Sequence, residues 1–218
     1  MAFEDRAEAG QLLARRLDKY RGQHPIVLAI PRGAVPMGKI VADALGGELD
    51  VVLVRKLRAP YNPELAIGSI DETGVVYLDP ETRRLADKPY LEEEKKTQLA
   101  TLRQRRQQYE PAGTPIDASG RIAIVLDDGI ATGSTMIAAL RAVRARHPAK
   151  LIAATGVASA EALRLIRQEA DEVVCLETPA ILYAIGYHFR DFSQVSDEEV
   201  VATLREARRP RVPTGTST

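Results

Sequence analysis

Short runs rich in apolar residues alternate along the chain with longer segments that repeat apolar residues every three or four positions. The short runs are typical of strands buried on both faces, and the longer repeat is typical of helices with one buried face. The alternation predicts an α/β fold, a doubly wound parallel sheet covered by helices. The predicted strands are 26–30, 51–54, 122–126, 151–157 and 172–176.

The helical segments differ in the width of their apolar faces. Residues 3–20 place Leu13, Leu17 and Tyr20 on one side of a first helix. The segment 91–109 has a narrow apolar stripe, which predicts a peripheral helix. Ser196 and Glu199 have the spacing of a capping box and predict the start of the last helix. The other predicted helix faces are formed by Met37, Ile40, Val41, Ala44 and Leu45, by Met136, Leu140 and Val143, and by the segment 160–168.

Turn-forming residues divide the middle of the chain. Pro60, Asn62 and Pro63 predict a flexible loop over 59–66. Two apolar runs on either side of 71–74 predict a hairpin. The sequence thus predicts one domain over 1–207, with a helical insertion at about 80–115, a small hood at about 178–195 and a disordered tail over 208–218.

Composition and charge narrow the classes of function. Apolar residues make up 45% of the 218 positions, and 30 basic side chains balance 30 acidic ones. A net charge of zero creates no field that would attract nucleic acid or an anionic membrane, so we expect neither as a partner. The single Cys175, expected to be buried and inert, favours a reducing compartment. The first 19 residues lack the apolar core of a signal peptide. Together these features predict a cytoplasmic protein.

Two adjacent acids follow the predicted central strand. Asp127 and Asp128 come directly after 122–126, and ligands of open parallel sheets bind beyond the carboxyl ends of the strands. Carboxylates can accept hydrogen bonds from the vicinal hydroxyls of a sugar or, indirectly, from a hydrated divalent cation. This position therefore predicts a polar ligand site.

A glycine- and hydroxyl-rich turn then leads from the acids into a helix. The backbone N–H groups and the dipole at a helix start favour a phosphate. Thr132, Ser134 and Thr135 can add donors, and Gly133 allows a close approach of the backbone. Asp-Asp-Gly alone is usually a turn and Thr-Gly-Ser-Thr alone is usually a helix cap, but their combination behind an apolar strand is more specific. No GxxxxGK[ST] or GxGxxG pattern competes with it in this segment.

The segment from Ile124 to Thr135 resembles the signature of the type I phosphoribosyltransferases. The resemblance implies a site for 5-phosphoribosyl 1-diphosphate. Gly129 departs from the family, which usually has a larger aliphatic residue there. Ala131 stands where 6-oxopurine enzymes have an acid thought to handle the proton of the base, and so argues against hypoxanthine and guanine as acceptors. The implied donor-binding residues are Asp127, Asp128, Gly129, Ile130, Ala131, Thr132, Gly133, Ser134 and Thr135.

Three other segments extend the resemblance. Pro31-Arg32-Gly33 resembles the pyrophosphate loop of the family, with Arg32–Gly33 as the expected cis peptide bond. Arg55, Lys56 and Arg58 enter the predicted loop and resemble the basic residues that the family brings to the diphosphate, although charge runs are often only solvated surface. The region around 181–192 resembles the hood over the acceptor base, where Ile185, Tyr187 and Phe189 are candidates to contact the base or, equally, to belong to the core. His188 is expected to be structural or exposed.

The resemblance implies a transfer of ribose 5-phosphate to a nitrogenous, nucleobase-type acceptor with release of pyrophosphate. Asp127, Asp128, Arg32 and Lys56 are the implied catalytic residues. Mg²⁺ is the implied cofactor, held indirectly by Asp127 and Asp128 through substrate or water, and a homodimer is the implied assembly. The alternatives are a non-catalytic regulator that binds the donor or a nucleotide, and another α/β nucleotide or sugar-phosphate enzyme. Few residues precede the first predicted strand, which disfavours a DNA-binding regulator.

Overall fold

The computed structural model describes residues 2–109 and 112–209, apart from the side chain of Glu64. The strands and helices alternate along most of the chain, as an α/β protein requires. The helices are α1 (Arg6–Arg16), α2 (Ala34–Leu45), α3 (Lys88–Tyr109), α4 (Ser134–Arg144), α5 (Ala160–Ile166) and α6 (Asp197–Ala207). The strands are β1 (Ile26–Ala29), β2 (Glu48–Val51), β3 (Val54–Ala59), β4 (Asn62–Asp71), β5 (Val76–Leu78), β6 (Ile122–Ile130), β7 (Lys150–Ala158) and β8 (Glu172–Glu177).

The main sheet is parallel, has the strand order β2-β1-β6-β7-β8 and places β6 at its centre. The prediction of a parallel sheet is confirmed. Successive side chains of β6 point to opposite faces: Ile124 and Leu126 enter the core beneath α1, α2 and α6, whereas Ala123 and Val125 enter the core beneath α4 and α5. Because both faces are covered, a strand of continuous apolar residues is stable at this position.

The helix faces predicted from spacing are largely the buried ones. Leu13 and Leu17 of the first helical segment, Met37 of α2, and Met136 and Leu140 of α4 are inaccessible to solvent. Gly46 ends α2 in the left-handed conformation, with a φ of 69°. The capping box that begins α6 is also confirmed, because Ser196 and Glu199 bond reciprocally to each other's backbone N–H groups.

A separate antiparallel sheet, with the order β3-β4-β5, replaces the predicted loop over 59–66. That prediction was wrong because Pro60 and Tyr61 form a tight turn between two paired strands, with Tyr61 in the left-handed region at a φ of 65°. The predicted strand 51–54 is likewise two strands in two sheets, broken at Val52 and Leu53. The predicted hairpin around 71–74 is confirmed by the antiparallel pairing of β4 with β5.

The long insertion helix α3 buries only Gln98, Leu102 and Tyr109 among its described side chains, as a narrow stripe predicts. Arg106 of this helix forms ion pairs with Glu72 of the hairpin and with the buried Asp50. Asp50 also pairs with Arg208, at 3.5 Å, which places that residue of the predicted tail against the domain. The predicted tail from 210 onward lies outside the described residues.

Cys175 lies in β8, as expected, but it is half-buried rather than fully buried because β8 is the edge strand of the sheet. Burial raises the pKa of its thiol, which keeps it in the unreactive protonated form. Within the described ranges, no helix combines the length and apolar character needed to cross a membrane.

A cluster of cations and a phenol holds Glu172 at the start of β8. Partial burial acts to raise the pKa of Glu172, but hydrogen bonds from Lys19, Tyr20 and Lys150 outweigh it and lower this pKa to about 2. A carboxylate whose pKa is lowered on folding stabilises the protein above its unfolded pKa, and that stability is lost as the pH falls towards the folded value.

We therefore predict that Glu172→Gln lowers the free energy of unfolding at pH 7 by about 1–2 kcal/mol after allowance for solvent screening. Urea denaturation between pH 7 and pH 2 should show that this difference disappears as the pH falls from about 4.5 to about 2. Glu93→Gln, at an exposed position of α3, is the control and should change stability little. A difference that persists unchanged at pH 2 would contradict the assignment.

Candidate active site

The two candidate acids lie on the last part of the central strand rather than in a loop. β6 continues to Ile130 because its neighbour β7 is equally long and pairs with it through Asp127, Gly129 and Ile130. Only residues 131–133 connect β6 to α4. The carboxylates are therefore fixed by the sheet, at the edge where ligands of parallel sheets bind.

Asp127 and Asp128 have different surroundings. Desolvation raises the pKa of Asp127 well above its usual range, and the negative charge of Asp128 raises it further. Asp127 Oδ1 accepts a hydrogen bond from the backbone N–H of Asp128 at 2.9 Å. Asp127 thus keeps a proton to higher pH than an ordinary aspartate and gains from any ligand that offers hydroxyl donors or positive charge.

Asp128 is paired with Arg6 of α1, whose Nε lies 2.8 Å from Asp128 Oδ2, and both side chains are largely buried. The same guanidinium donates to the backbone carbonyl of Ser193 at 2.7 Å and lies 3.8 Å from the ring centroid of Phe192. Arg6 therefore joins the first helix, the central strand and the last part of the hood.

Residues 131–135, at the N-terminus of α4, form an opening, called the mouth of α4. Gly133 within it adopts a left-handed conformation with a φ of 82°. Since glycine has no side chain to cap the helix, the first turn of α4 keeps its N–H groups directed towards the space beyond the strand. Ser159 Oγ donates to the carbonyl of Ala131 at 2.8 Å and fixes the connecting turn. Thr132 and Thr135 are exposed at this mouth, and Thr132 Oγ1 lies 3.1 Å from Ser134 Oγ. The arrangement can bind a tetrahedral anion.

The turn after β1 approaches the acids closely. A Cβ atom on Gly33 would lie 2.1 Å from Asp128 Oδ2, so a larger residue would displace this carboxylate. The cis peptide bond of this turn joins Pro31 to Arg32, and the expectation of an Arg32–Gly33 cis bond was wrong. Gly33 already has helical dihedral angles, and the carbonyl of Arg32 accepts from the N–H of Val35 at 3.1 Å, so this next peptide belongs to the start of α2.

The predicted basic residues do not form one group. Arg55 lines a cavity of about 170 Å³ together with Pro31 and Thr135. Lys56, the next residue of β3, lines another cavity of about 260 Å³ beside Ser134. This separation follows from the alternation of side chains along a strand. Arg32 lies against Asp197 of α6, at 3.4 Å.

The hood segment covers Gly129 directly. A Cβ atom on Gly129 would lie 2.2 Å from Cγ2 and 2.7 Å from Cδ1 of Ile185. Ile185 thus fills the space that a larger residue at position 129 would occupy. This explains why the signature here carries glycine, and it makes Ile185 part of the wall above the acids.

The three hood candidates have different environments. Tyr187 is 73% exposed and its ring is free for contact. Phe189 is only 3% exposed and packs between Phe3 and Phe192, with ring centroids 5.1 and 4.9 Å away. Its ring belongs to the core and presents no face to a base in this structure. His188 continues the backbone of the hood, and its carbonyl accepts from the N–H of Phe3 at 3.0 Å.

Three polar side chains contact these candidates without having been predicted from the sequence, namely Arg6, Gln98 and Asp197, and a fourth, Arg105, contacts Asp197. Arg6 and Arg105 are two of many basic residues on the polar faces of helices, and no local sequence pattern marks them as residues of the site. Asp197 follows the capping-box residue Ser196, so its place at the start of a helix was predicted. Its contact with Arg32 was not. All four contacts depend on tertiary packing.

Comparisons with known proteins identify the family of this chain. The family model described as "Phosphoribosyl transferase domain" matches residues 3–190. The chain therefore belongs to the phosphoribosyl transferase family. Two Mycobacterium tuberculosis sequences provisionally named phosphoribosyl transferases are each 42% identical over 209 residues. Those matches cover 95% of this chain but 47% of either relative, so the chain spans about half the length of the curated relatives that it matches.

A solved structure supports the same fold. The crystal structure of a Thermus thermophilus protein is 44% identical, with a TM-score of 0.88, and the match covers 94% of this chain and 99% of that chain. The parallel central sheet with its flanking helices is thus shared with an experimentally determined structure.

The contact between Gly129 and Ile185 gives a direct test of the hood. We predict that Gly129→Ala lowers the free energy of unfolding by about 1–3 kcal/mol, because Ile185 must move. In an Ile185→Ala background the clashing atoms are absent, so the same substitution should cost less than half as much. Urea denaturation of the four proteins in this cycle measures the difference. Equal costs in both backgrounds would show that the hood does not rest on Gly129.

Proposed function

We propose that the chain transfers the 5-phosphoribosyl group of 5-phosphoribosyl 1-diphosphate to a nitrogenous, nucleobase-type acceptor and releases pyrophosphate. Family membership supports the class of donor and reaction. The observation that carries the proposal is the position of Asp127 and Asp128 at the end of the central strand, directly before the open mouth of α4.

The donor lies with its ribose across the acids and its 5-phosphate in the mouth of α4. Asp127 accepts from the ribose hydroxyls, while Asp128, held by Arg6, closes the other side of the sugar. The N–H groups of 131–135 and the hydroxyls of Thr132 and Thr135 bind the phosphate. Lys56, beside Ser134, supports this phosphate rather than the diphosphate.

The diphosphate lies towards the turn of Pro31 and Arg32. A nitrogen lone pair of the acceptor forms a bond to C1 of the ribose while the bond from C1 to the diphosphate oxygen breaks, and the electron pair leaves with pyrophosphate. The sugar passes through an oxocarbenium-like state. Arg32 and Arg55 stabilise the charge that develops on the leaving group. Positioning and charge stabilisation supply most of the reduction of the barrier.

Asp127 and Asp128 fit Mg²⁺ in an indirect way. Asp128 is occupied by Arg6, and the remaining carboxylate of Asp127 is too small a donor set for a metal cage of its own. Mg²⁺ keeps several waters and is commonly bound by one or two carboxylates together with substrate phosphates. Asp127 would hold the hydrated ion through water or the ribose hydroxyls, and the ion would supply charge neutralisation for the diphosphate.

The acceptor binds beneath the hood. Ile185 forms one wall, and the exposed ring of Tyr187 is available to stack on a base. Ala131 provides no group to move the proton of a 6-oxopurine, so the proposal favours other nitrogenous acceptors. We also propose that the protein is a cytoplasmic homodimer that acts in nucleotide metabolism. Its partners would include neither nucleic acid nor a membrane.

The proposal predicts that Asp127→Asn combined with Asp128→Asn lowers kcat/KM for the donor by about 100-fold or more, because the sugar loses both carboxylates. The measurement is pyrophosphate release with Mg²⁺ and a panel of purines, pyrimidines and amines. The exposed Asp117→Asn is the matched control and should retain activity.

A loss of only a few-fold in the double variant would count against the enzyme assignment. The regulator alternative makes a different prediction. If the chain is a regulator, calorimetry should detect binding of the donor to the wild-type chain, and no acceptor in the panel should cause release of pyrophosphate.

A further inference from the structure

We propose that Arg105, on the insertion helix α3, binds the diphosphate of the donor together with Arg55. This inference rests on the proposed function and extends it to a segment that the minimal family fold does not explain. It assigns the insertion a direct role in the site.

The first observation is the cavity of about 170 Å³ at the carboxyl ends of β1 and β2. Its walls include Pro31 from the turn after β1, Thr135 from the start of α4, and both Arg55 and Arg105. The cavity therefore adjoins the proposed phosphate mouth on one side and the proposed pyrophosphate turn on the other. A group attached to C1 of the bound ribose would extend into this space.

The second observation is the charge around the cavity. Arg55 Nε donates to the neutral Oε1 of the buried Gln98 at 2.5 Å, so this contact does not neutralise the guanidinium. Arg32 and Arg105 share the carboxylate of Asp197, at 3.4 and 3.2 Å. Two guanidinium groups thus share one carboxylate, and the third, that of Arg55, contacts a neutral amide, so the remaining positive charge suits a polyanion.

The third observation is that an anion already contacts two of these arginines. Asp197 Oδ2 lies against Arg32 while its Oδ1 lies against Arg105, and Oδ1 also accepts from the hydroxyl of Tyr109 at 2.9 Å. A carboxylate in this position shows that the two guanidinium groups converge closely enough to share an oxyanion. Asp197 acts as a positioning residue that keeps both at the edge of the cavity.

The packing of α3 directs Arg105 towards the site. Gln98, Leu102 and Tyr109 are the buried residues of this helix, and Arg105 lies between them at the same helical spacing. Arg105 Nη1 also lies 3.3 Å from the hydroxyl of Tyr109, which limits its freedom. The stem of Arg105 is thus held by the face that anchors the helix, and its guanidinium remains partly exposed to the cavity.

Arg105→Met in the full chain tests the inference. Isothermal titration calorimetry with Mg²⁺ should measure three probes: inorganic pyrophosphate, 5-phosphoribosyl 1-diphosphate and ribose 5-phosphate. We expect about 10- to 100-fold weaker binding of the two probes that carry a diphosphate, because a charged hydrogen-bond donor is lost. Ribose 5-phosphate, which uses the acids and the mouth of α4, should bind within about threefold of wild type.

Two further variants control for folding and for charge. Arg103→Met removes an exposed arginine from the other side of the same helix and should leave all three affinities unchanged. Arg105→Lys keeps the charge but loses the planar donor group, so its pyrophosphate affinity should lie between those of wild type and Arg105→Met.

Pyrophosphate binding of wild-type strength in Arg105→Met would overturn the inference, as would an equal loss for ribose 5-phosphate, which would mean that Arg105 only maintains the structure. Failure of the proposed function gives a different result. In that case the wild-type chain binds neither the donor nor ribose 5-phosphate, whatever its affinity for pyrophosphate.

Discussion

Two neighbouring carboxylates at the end of a buried strand repel each other and lose solvation, so the fold must compensate at least one of them. Arg6 provides that compensation for Asp128 through a short and largely buried ion pair. Removing one member of such a pair leaves a buried charge without a partner, which is more costly than the pair itself is favourable. The arrangement of the site therefore depends on a residue from the first helix.

The same interaction determines where other segments lie. The guanidinium of Arg6 also contacts the carbonyl of Ser193 and the ring of Phe192, so the last part of the hood is fixed beside Asp128. Ile185 then packs over Gly129, and Phe189 fills the core behind it. Segments from both ends of the described chain are thus brought to one edge of the sheet, where they enclose the site proposed for the sugar and the base.

The sequence was sufficient for the features that depend on local pattern. Three such predictions are confirmed: the strand from the apolar run of β6, the buried helix face from the spacing of Leu13 and Leu17, and the helix start from the capping box at Ser196. The first half of β4 was missed because Asn62 and Pro63 are turn formers, and the pairing of this strand with β3 outweighs their preference. The contacts of Arg6 and Asp197 were not predictable, since their partners lie far away in the sequence and no periodicity marks them.

The two-residue connection between β2 and β3 has a consequence for how the cations are divided. Val52 and Leu53 carry the chain from the parallel sheet into the antiparallel one, and Arg55 and Lys56 then point to opposite sides of β3. Deleting one residue in this connection would turn the other face of the strand towards Pro31 and would exchange the guanidinium of Arg55 for the ammonium group of Lys56 there. The length of the connection, as much as the identity of the basic residues, specifies which cation serves which cavity.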